Sequence, residues 1–431
     1  MLYRKWFTVL SLFVIAALLL SACRPISASS AAPSAQDSAV PIPDMPRSDA
    51  PPYGLRGPHA VGVRDFVIEP AQEGERPINV TVWYPASNPD GRTEAETYML
   101  NFSNPDYPDF AIAGRALRDA EADASGKPYP LIVYSHGYWL FRQMASYLME
   151  QLASWGFVVI AGDHEDNWGT VFGPSQADTY VSRPQDIRRQ IDFAETLSAA
   201  DGAFPGLIDH ENVGVVGHSF GADTALLMGG ARLNTDLFFN EWCAMNPGDP
   251  TDSFNDCAAM PSLLDGMAKE AGLDAPPEGL WPDWSDPRVA AIVPFMPAAQ
   301  YFGADGLATV RTPILLVEAE MDWALAAANQ YYKPYTLLPT DPKTHLFFKL
   351  GDHGLPENNC EAMPGLVDMG FAWFCDDPVW DGARAHDLIN HFVTAFMLAE
   401  LKGDADAAAA LAPESVDFRG IEYETTAFGA E

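Results

Sequence analysis

Val213-Gly214-Val215-Val216-Gly217-His218-Ser219-Phe220-Gly221-Ala222 is the stretch on which the reading of this chain turns. Val213 to Val216 is a continuous apolar run, the pattern of a strand buried on both faces. Ala222 to Met228 then reads as a helix. Between them stands G-x-S-x-G, flanked by the strand and the helix that this motif requires. The reason is steric. A serine at a tight strand-to-helix bend projects its hydroxyl out of the bend, and glycines two before and two after let strand and helix approach closely. The N–H of Phe220 then faces the space before the hydroxyl, at the positive end of a helix. Ser219 is the candidate nucleophile.

Outward from this stretch, strands alternate with helices. Val61 to Ile68 and Ile78 to Tyr84 are strand-like runs separated by a polar turn. Leu131 to Tyr134, Phe157 to Ile160, Val289 to Val293, Ile314 to Val317 and Leu346 to Leu350 are further strands. Gln143 to Trp155, Gln185 to Leu197 and Ala385 to Leu401 carry helical periodicity. Repeated β-α-β units with continuous apolar strands predict an α/β fold, with a mostly parallel central sheet and helices on both faces. Residues 232 to about 286 break this rhythm with Trp, Phe, Met, Pro and many acids, and are expected to form an inserted cap. The main domain is expected over 59–403. Residues 404–431, an Ala run with scattered acids, read as a poorly packed tail.

A hydroxyl is a weak nucleophile at neutral pH and needs a base, normally histidine. The chain has nine. His59, His164 and His210 precede Ser219, whereas this motif places its acid and base afterwards. His218 lies inside the bend, His136 in another loop, His345 at a strand start, and His386 and His391 on the closing helix. His353, in Lys349-Leu350-Gly351-Asp352-His353-Gly354, follows the last buried strand, at the sheet edge where open α/β sheets place their sites. His353 is the expected base. The acid should leave the same edge. The strand ending at Val317 runs into Glu318-Ala319-Glu320-Met321-Asp322-Trp323. Asp322 is the expected partner, with room to turn back and fix the imidazole tautomer. Glu318 and Glu320 are its rivals, and Asp352 a more distant one. The loop Tyr134-Ser135-His136-Gly137-Tyr138-Trp139 follows the first central strand. Gly137 permits close backbone approach, and the N–H of Tyr138 is expected to join that of Phe220 as an oxyanion donor. Ser135 and His136 are expected to brace that loop. Trp139, Trp168 and Trp323 lie on loops at the same edge and are the expected pocket aromatics.

Together these motifs resemble the α/β-hydrolase superfamily. More narrowly, they look like the platelet-activating-factor acetylhydrolase and predicted dienelactone-hydrolase group. The pieces that carry the resemblance are Val61-Gly62-Val63-Arg64-Asp65, Val82-Trp83-Tyr84-Pro85, Ser135-His136-Gly137 with Phe141-Arg142, Leu152-Ala153-Ser154-Trp155-Gly156-Phe157, and Gly217-His218-Ser219-Phe220-Gly221. The loop Ser135 to Tyr138 is also similar to bacterial cutinases, whose aromatic residue there supplies an oxyanion N–H. The resemblance implies an α/β-hydrolase fold. Two departures stand out. Animal-type acetylhydrolases carry their catalytic Asp after the strand that here reads Ala290-Ala291-Ile292-Val293-Pro294-Phe295, and no acid occurs there. Asp322, one strand later, matches the cutinase and dienelactone-hydrolase arrangement, but dienelactone hydrolases use a Cys nucleophile in place of Ser219. The expected activity is hydrolysis of small or medium acyl esters through an acyl-enzyme, with no metal or organic cofactor. The alternatives are a phospholipid acyl hydrolase, a polyester hydrolase, and a non-catalytic binding protein on the same fold.

Composition narrows the setting. Hydrophobic residues make up 48% of the 431, which excludes a disordered chain. A net charge of −34 repels phosphate backbones and argues against nucleic acid as a partner. Arg4 and Lys5, the apolar run Val9 to Leu20, and Leu20-Ser21-Ala22-Cys23 resemble a bacterial lipoprotein signal. Residues 1–22 are then the signal peptide, Cys23 the lipidated residue, and residues 23–58, rich in Ser, Ala, Pro and Asp, a flexible tether. This implies an extracytoplasmic protein of the bacterial cell envelope, anchored to a membrane and meeting small-molecule or lipid esters. In that oxidising space the other four cysteines fit two disulfides. Of the three pairings, the local one is expected, Cys243 with Cys257 and Cys360 with Cys375. Asp249, Asp252 and Asp256 match no calcium-loop pattern and read as solvated charges.

Overall fold

A computed structural model describes residues 47–72, 75–100, 108–164, 176–247, 256–339 and 341–429. The signal segment, Cys23, Trp168, Asp249 and Asp252 lie outside them, and so does the tether up to residue 46.

The strands are β1 (Ala60–Ile68), β2 (Ile78–Ala86), β3 (Glu96–Leu100), β4 (Phe110–Gly114), β5 (Leu117–Arg118), β6 (Tyr129–Ser135), β7 (Val158–Gly162), β8 (Ile208–His218), β9 (Val289–Phe295), β10 (Ile314–Ala319), β11 (Lys343–Phe348) and β12 (Ile421–Thr425). Among the described residues, ten form one sheet in the order β12-β11-β10-β9-β8-β6-β7-β2-β1-β5, and β3 pairs with β4 apart from it. From β7 to β11 neighbouring strands run parallel. β2 is antiparallel to both β1 and β7. The fold is α/β, and its sheet is mostly parallel.

Continuous apolar strands need cover on both faces, and alternate residues divide between two cores. Leu131, Val133, Val158, Val213 and Val215 face one core. It is completed by Val181, Ile187 and Ile191 of α2 (Gln176–Ser198) and Leu226 of α3 (Phe220–Met228). Ile132, Tyr134, Val159 and Val216 face the other. There they meet Leu148 and Leu152 of α1 (Ser146–Ser154) and Phe392 and Phe396 of the closing helix (Gly382–Lys402). Gly214 lets that helix come close: a Cβ on it would lie 2.7 Å from Met397 Sδ.

The order of the sheet places the site. From β6 the chain moves to one side for β7, then returns to the other side for β8. At such a switch point the loops leaving neighbouring strands diverge and open a crevice beyond their carboxyl ends. The loops after β6 and β8 carry His136–Trp139 and Ser219.

Residues 232–286 contain α4 (Leu264–Glu270), which packs against α2. Met260, Met267, Trp281 and Trp284 join the same core as α2 and α3. Cys243 and Cys257 are bonded, Sγ to Sγ 2.07 Å, and so are Cys360 and Cys375, at 1.93 Å.

The ends of the domain differ from the sequence expectation. The tail is packed, with a helix at Ala405–Ala410, buried Ala407 and Leu411, and β12 pairing antiparallel with β11. Its strand alternates Ile421, Tyr423 and Thr425 with two glutamates, a half-exposed edge pattern that carries little apolar signal. At the other end, Pro51 and Tyr53 are already buried. Tyr53 lies 5.0 Å from the Trp155 ring, and its carbonyl accepts from Gln151, so the packed chain begins ahead of residue 58.

Candidate active site

Ser219 sits between β8 and α3 with φ 54° and ψ −120°, a conformation L-residues adopt at a cost of about 1–3 kcal/mol. Three backbone bonds hold it there. Its N–H donates to Phe295 O at 2.9 Å, and its carbonyl accepts from Ala222 N at 2.8 Å and Asp223 N at 3.3 Å. The flanking glycines are sterically obligatory. A Cβ on Gly217 would lie 2.0 Å from Gly221 O, and one on Gly221 would lie 1.9 Å from Ser135 O.

Three side chains converge from three strand ends. Ser219 Oγ is 2.9 Å from His353 Nε2, and His353 Nδ1 is 2.9 Å from Asp322 Oδ1. Asp322 follows β10 and His353 follows β11. Both side chains are buried, whereas Ser219 is partly open. Asp322 Oδ1 also accepts from Ala324 N at 2.9 Å and Leu325 N at 2.8 Å, which fixes the carboxylate. Burial opposes its charge, but His353 and these two amides outweigh burial and lower its pKa. The His353 pKa is lowered as well. Burial is the main cause and His218 adds to it, while Asp322 opposes them. The imidazole is therefore neutral at neutral pH and able to accept a proton.

The rival acids face elsewhere. Glu318 pairs with His345 at 2.8 Å, and Glu320 accepts from Leu350 N at 3.0 Å. Asp352 accepts from Gly354 N, and its own N–H donates to Asp377. His218 turns its ring to the back of the site. Its Nε2 donates to His353 O at 2.8 Å, and its Nδ1 meets Glu357 Oε1 at 2.5 Å. A carbonyl only accepts, so Nε2 carries a proton. The sequence reading missed Glu357, which follows His353 by four residues in a loop with no motif.

The loop after β6 runs beside the nucleophile: a Cβ on Gly137 would lie 3.4 Å from Ser219 Cβ. Tyr138 stacks on Trp139, centroids 4.7 Å apart, and lies 6.2 Å from the Phe220 ring. Trp323 is 54% exposed and stands edge-on to His353 at 5.1 Å. Trp373, which sequence reasoning also missed, lies 5.5 Å from Trp323 and is 56% exposed. It belongs to the segment bridged by Cys360–Cys375. Thus Ser219, His353 and Asp322 are joined in series, with Trp323 against His353 and Phe220 and the Tyr138–Trp139 loop beside Ser219. Such a set suits proton transfer from a hydroxyl beside an apolar rim.

Comparison with known proteins agrees with this architecture. The family model for platelet-activating factor acetylhydrolase, isoform II, matches residues 112–190, from β4 through the Ser135–Trp139 loop into α2. Platelet-activating factor acetylhydrolase from Gallus gallus is 32% identical over 152 residues, which cover 30% of this chain. The match spans 34% of that relative's length. Both matches cover less than a third of this chain and are consistent with its α/β fold.

Proposed function

We propose that this chain is a serine carboxylic ester hydrolase acting through a covalent acyl-enzyme. The observation that carries the reading is the pair of 2.9 Å contacts linking Ser219, His353 and Asp322, with Ser219 held at φ 54°. His353 Nε2 takes the hydroxyl proton as Ser219 Oγ attacks the ester carbonyl. Asp322 stabilises the imidazolium and keeps its tautomer. The N–H groups of Phe220 and Tyr138 receive the oxyanion, and each such donor is typically worth about 3 kcal/mol. The imidazolium returns the proton to the departing alkoxide oxygen. Water, deprotonated by His353, then releases the acid.

Small or medium acyl esters are the leading substrates. A phospholipid acyl hydrolase is the second reading, favoured by the similarity to acetylhydrolases and by two exposed aromatics, Trp323 beside His353 and Trp373 against Trp323. The setting is the cell envelope, with Cys23 as lipid anchor. The signal-like N-terminus and the two disulfides support it.

A fluorophosphonate probe should label Ser219, and p-nitrophenyl esters of rising chain length should report the acyl preference. Activity that survives Ser219→Ala would refute the nucleophile. Mass spectrometry of the N-terminal peptide would test the anchor, and an unmodified Cys23 in membrane-extracted protein would exclude it.

A further inference from the structure

Behind the Ser135–Trp139 loop lies a buried polar network that the reaction above does not use. Ser135 Oγ is 2.9 Å from His164 Nε2, and His164 Nδ1 is 2.9 Å from Asp186 Oδ2. Ser135 is fully buried and His164 and Asp186 nearly so, so no substrate reaches them. The proton positions follow from their partners. Asp186 accepts from Nδ1–H of His164, which leaves Nε2 to accept the Ser135 hydroxyl. The His164 backbone N–H donates to His136 Nε2 at 3.0 Å, so the His136 proton is on Nδ1, which donates to Gly137 O at 2.8 Å. Burial and the nearby Arg183 charge hold both rings neutral, with pKa values well below the ordinary histidine range.

Arg183 of α2 closes the network. Its guanidinium, with no exposed surface, donates to His136 O at 2.5 Å and more weakly to Gly137 O at 3.4 Å. The same guanidinium lies 4.7 Å from the centroid of the Phe220 ring. Asp186 and Asp223 favour its charge against burial. Gly137 O thus accepts from Arg183, from His136 and, at 3.3 Å, from Leu140 N. The Gly137–Tyr138 peptide is trans, and in a trans peptide N–H and C=O point in opposite directions. Tying the Gly137 carbonyl to Arg183 and His136 turns the Tyr138 N–H away from them, and Gly137 itself lies against the nucleophile, where a Cβ would come within 3.4 Å of Ser219 Cβ.

We propose that Arg183, backed by the buried Ser135–His164–Asp186 relay, is the positioning residue of the oxyanion hole. It orients the Tyr138 donor through the Gly137 carbonyl and packs the Phe220 donor through its ring. Arg183 never touches substrate, and its charge behind the loop adds to the positive field at the developing oxyanion. The inference rests on Ser219 being the nucleophile.

The test compares the full chain with Arg183→Met, Arg183→Lys, Ser135→Ala and Ser219→Ala. Active sites are counted by fluorophosphonate labelling carried to completion, and kcat and KM for a p-nitrophenyl ester are expressed per labelled site. Affinity for a trifluoromethyl ketone of the same acyl chain, which binds as an oxyanion adduct, is measured in parallel. Removing an oxyanion donor costs about 10²–10³ in kcat. Arg183→Met should therefore lose about 100-fold in kcat per site, with KM within about threefold and ketone affinity falling in step. Ser135→Ala should show the same split at about tenfold, and Arg183→Lys should recover part of the loss by keeping the charge. A kcat per labelled site within threefold of wild type in both Arg183→Met and Ser135→Ala overturns the inference. So does a loss that lies wholly in KM or in the number of labelled sites. Should Arg183→Met fail to fold, Ser135→Ala decides by the same criteria. A wild-type chain that neither labels nor turns over any ester brings down both readings. An active wild type with an inactive Ser219→Ala and normal Arg183 and Ser135 variants removes this one alone.

Discussion

Two Ser–His–Asp series run through this molecule with the same atoms at the same spacing. Ser219, His353 and Asp322 form one, and Ser135, His164 and Asp186 the other, each with both contacts at 2.9 Å. What separates them is surroundings. Ser219 stands at a strained bend and is partly open, while Ser135 ends a regular strand and is fully buried. Burial pushes Asp186 up to about 6, with only arginine charges opposing it. Asp322 is equally enclosed, yet its pKa is lowered, because His353 and two backbone amides favour the carboxylate. His353 faces that anion, whereas His164 also feels Arg183 and Arg76, which resist its protonation. On the proposed reading one series moves a proton and the other holds one still. A constellation of residue types is therefore not chemistry until access and charge are added.

The sharpest way to break this contrast is to remove each hydroxyl. Ser219→Ala should lower kcat/KM by at least about 10⁴-fold, since the nucleophile and its base act as a unit. Ser135→Ala should cost only about tenfold, as a displaced donor does. Comparable losses in steady-state kinetics would erase the distinction. The acids come next. Asp322→Asn should cost about 10⁴-fold in kcat by leaving His353 in the wrong tautomer. Asp186→Asn should stay near tenfold, because His164 transfers no proton and only the loop relaxes.

Gly221 is where the two series meet, and its substitution should be felt in stability. The Cβ of Gly221→Ala would lie 1.9 Å from Ser135 O, a backbone atom that cannot rotate away. A loss of about 3 kcal/mol or more is expected in denaturant titration, in the range of severe core strain. Gly272→Ala is the control. That glycine has φ +71° with nothing within 4 Å of its Cβ, so only about 1–2 kcal/mol of backbone cost is expected. Equal midpoints for the two variants would refute the steric account of the bend.

How much of this was legible follows from where each signal lies. The convergence of Ser219, Asp322 and His353 was readable because β8 and β10 carry continuous apolar runs and β11 ends in Leu346-Phe347-Phe348, and strand ends at one sheet edge converge. The acid had rivals because three carboxylates crowd the end of β10. Their separation lies in contacts that no spacing encodes, the pairing of Glu318 with His345 and the hydrogen bond that Leu350 N donates to Glu320. Arg183 and Glu357 were invisible for a related reason. Both act inward, Arg183 from a helix whose sequence reads as amphipathic, Glu357 from an irregular loop. β12 escaped notice because a short edge strand that alternates with glutamates carries little apolar weight, and β3 and β4, five residues each, are too short for periodicity to mark. Trp373 reaches Trp323 only through the folding of a disulfide-bridged loop.

The smallest expected effect separates the two histidines by pH. His353 must be neutral to accept the Ser219 proton, and its pKa lies below the ordinary 6.5. The acid limb of kcat/KM should therefore fall below pH 6.5, with turnover kept above it. His164 and His136 are held neutral in the folded chain, with pKa values well below 6.5, while the unfolded chain takes up protons near 6.5. Below that pH the unfolded state binds more protons, so stability present above 6.5 declines as pH falls, by at most about 1.4 kcal/mol per unit for each ring. His386 and His391, both lowered to about 4 by burial, act in the same sense. Asp186, raised to about 6, opposes them, because the folded state takes up its proton first. His164→Asn should flatten part of the stability slope between pH 6.5 and 5 and leave the kinetic limb where it was. A kinetic limb that moves with His164→Asn would mean that the buried ring titrates during turnover, and the division between a working series and a bracing one would be lost.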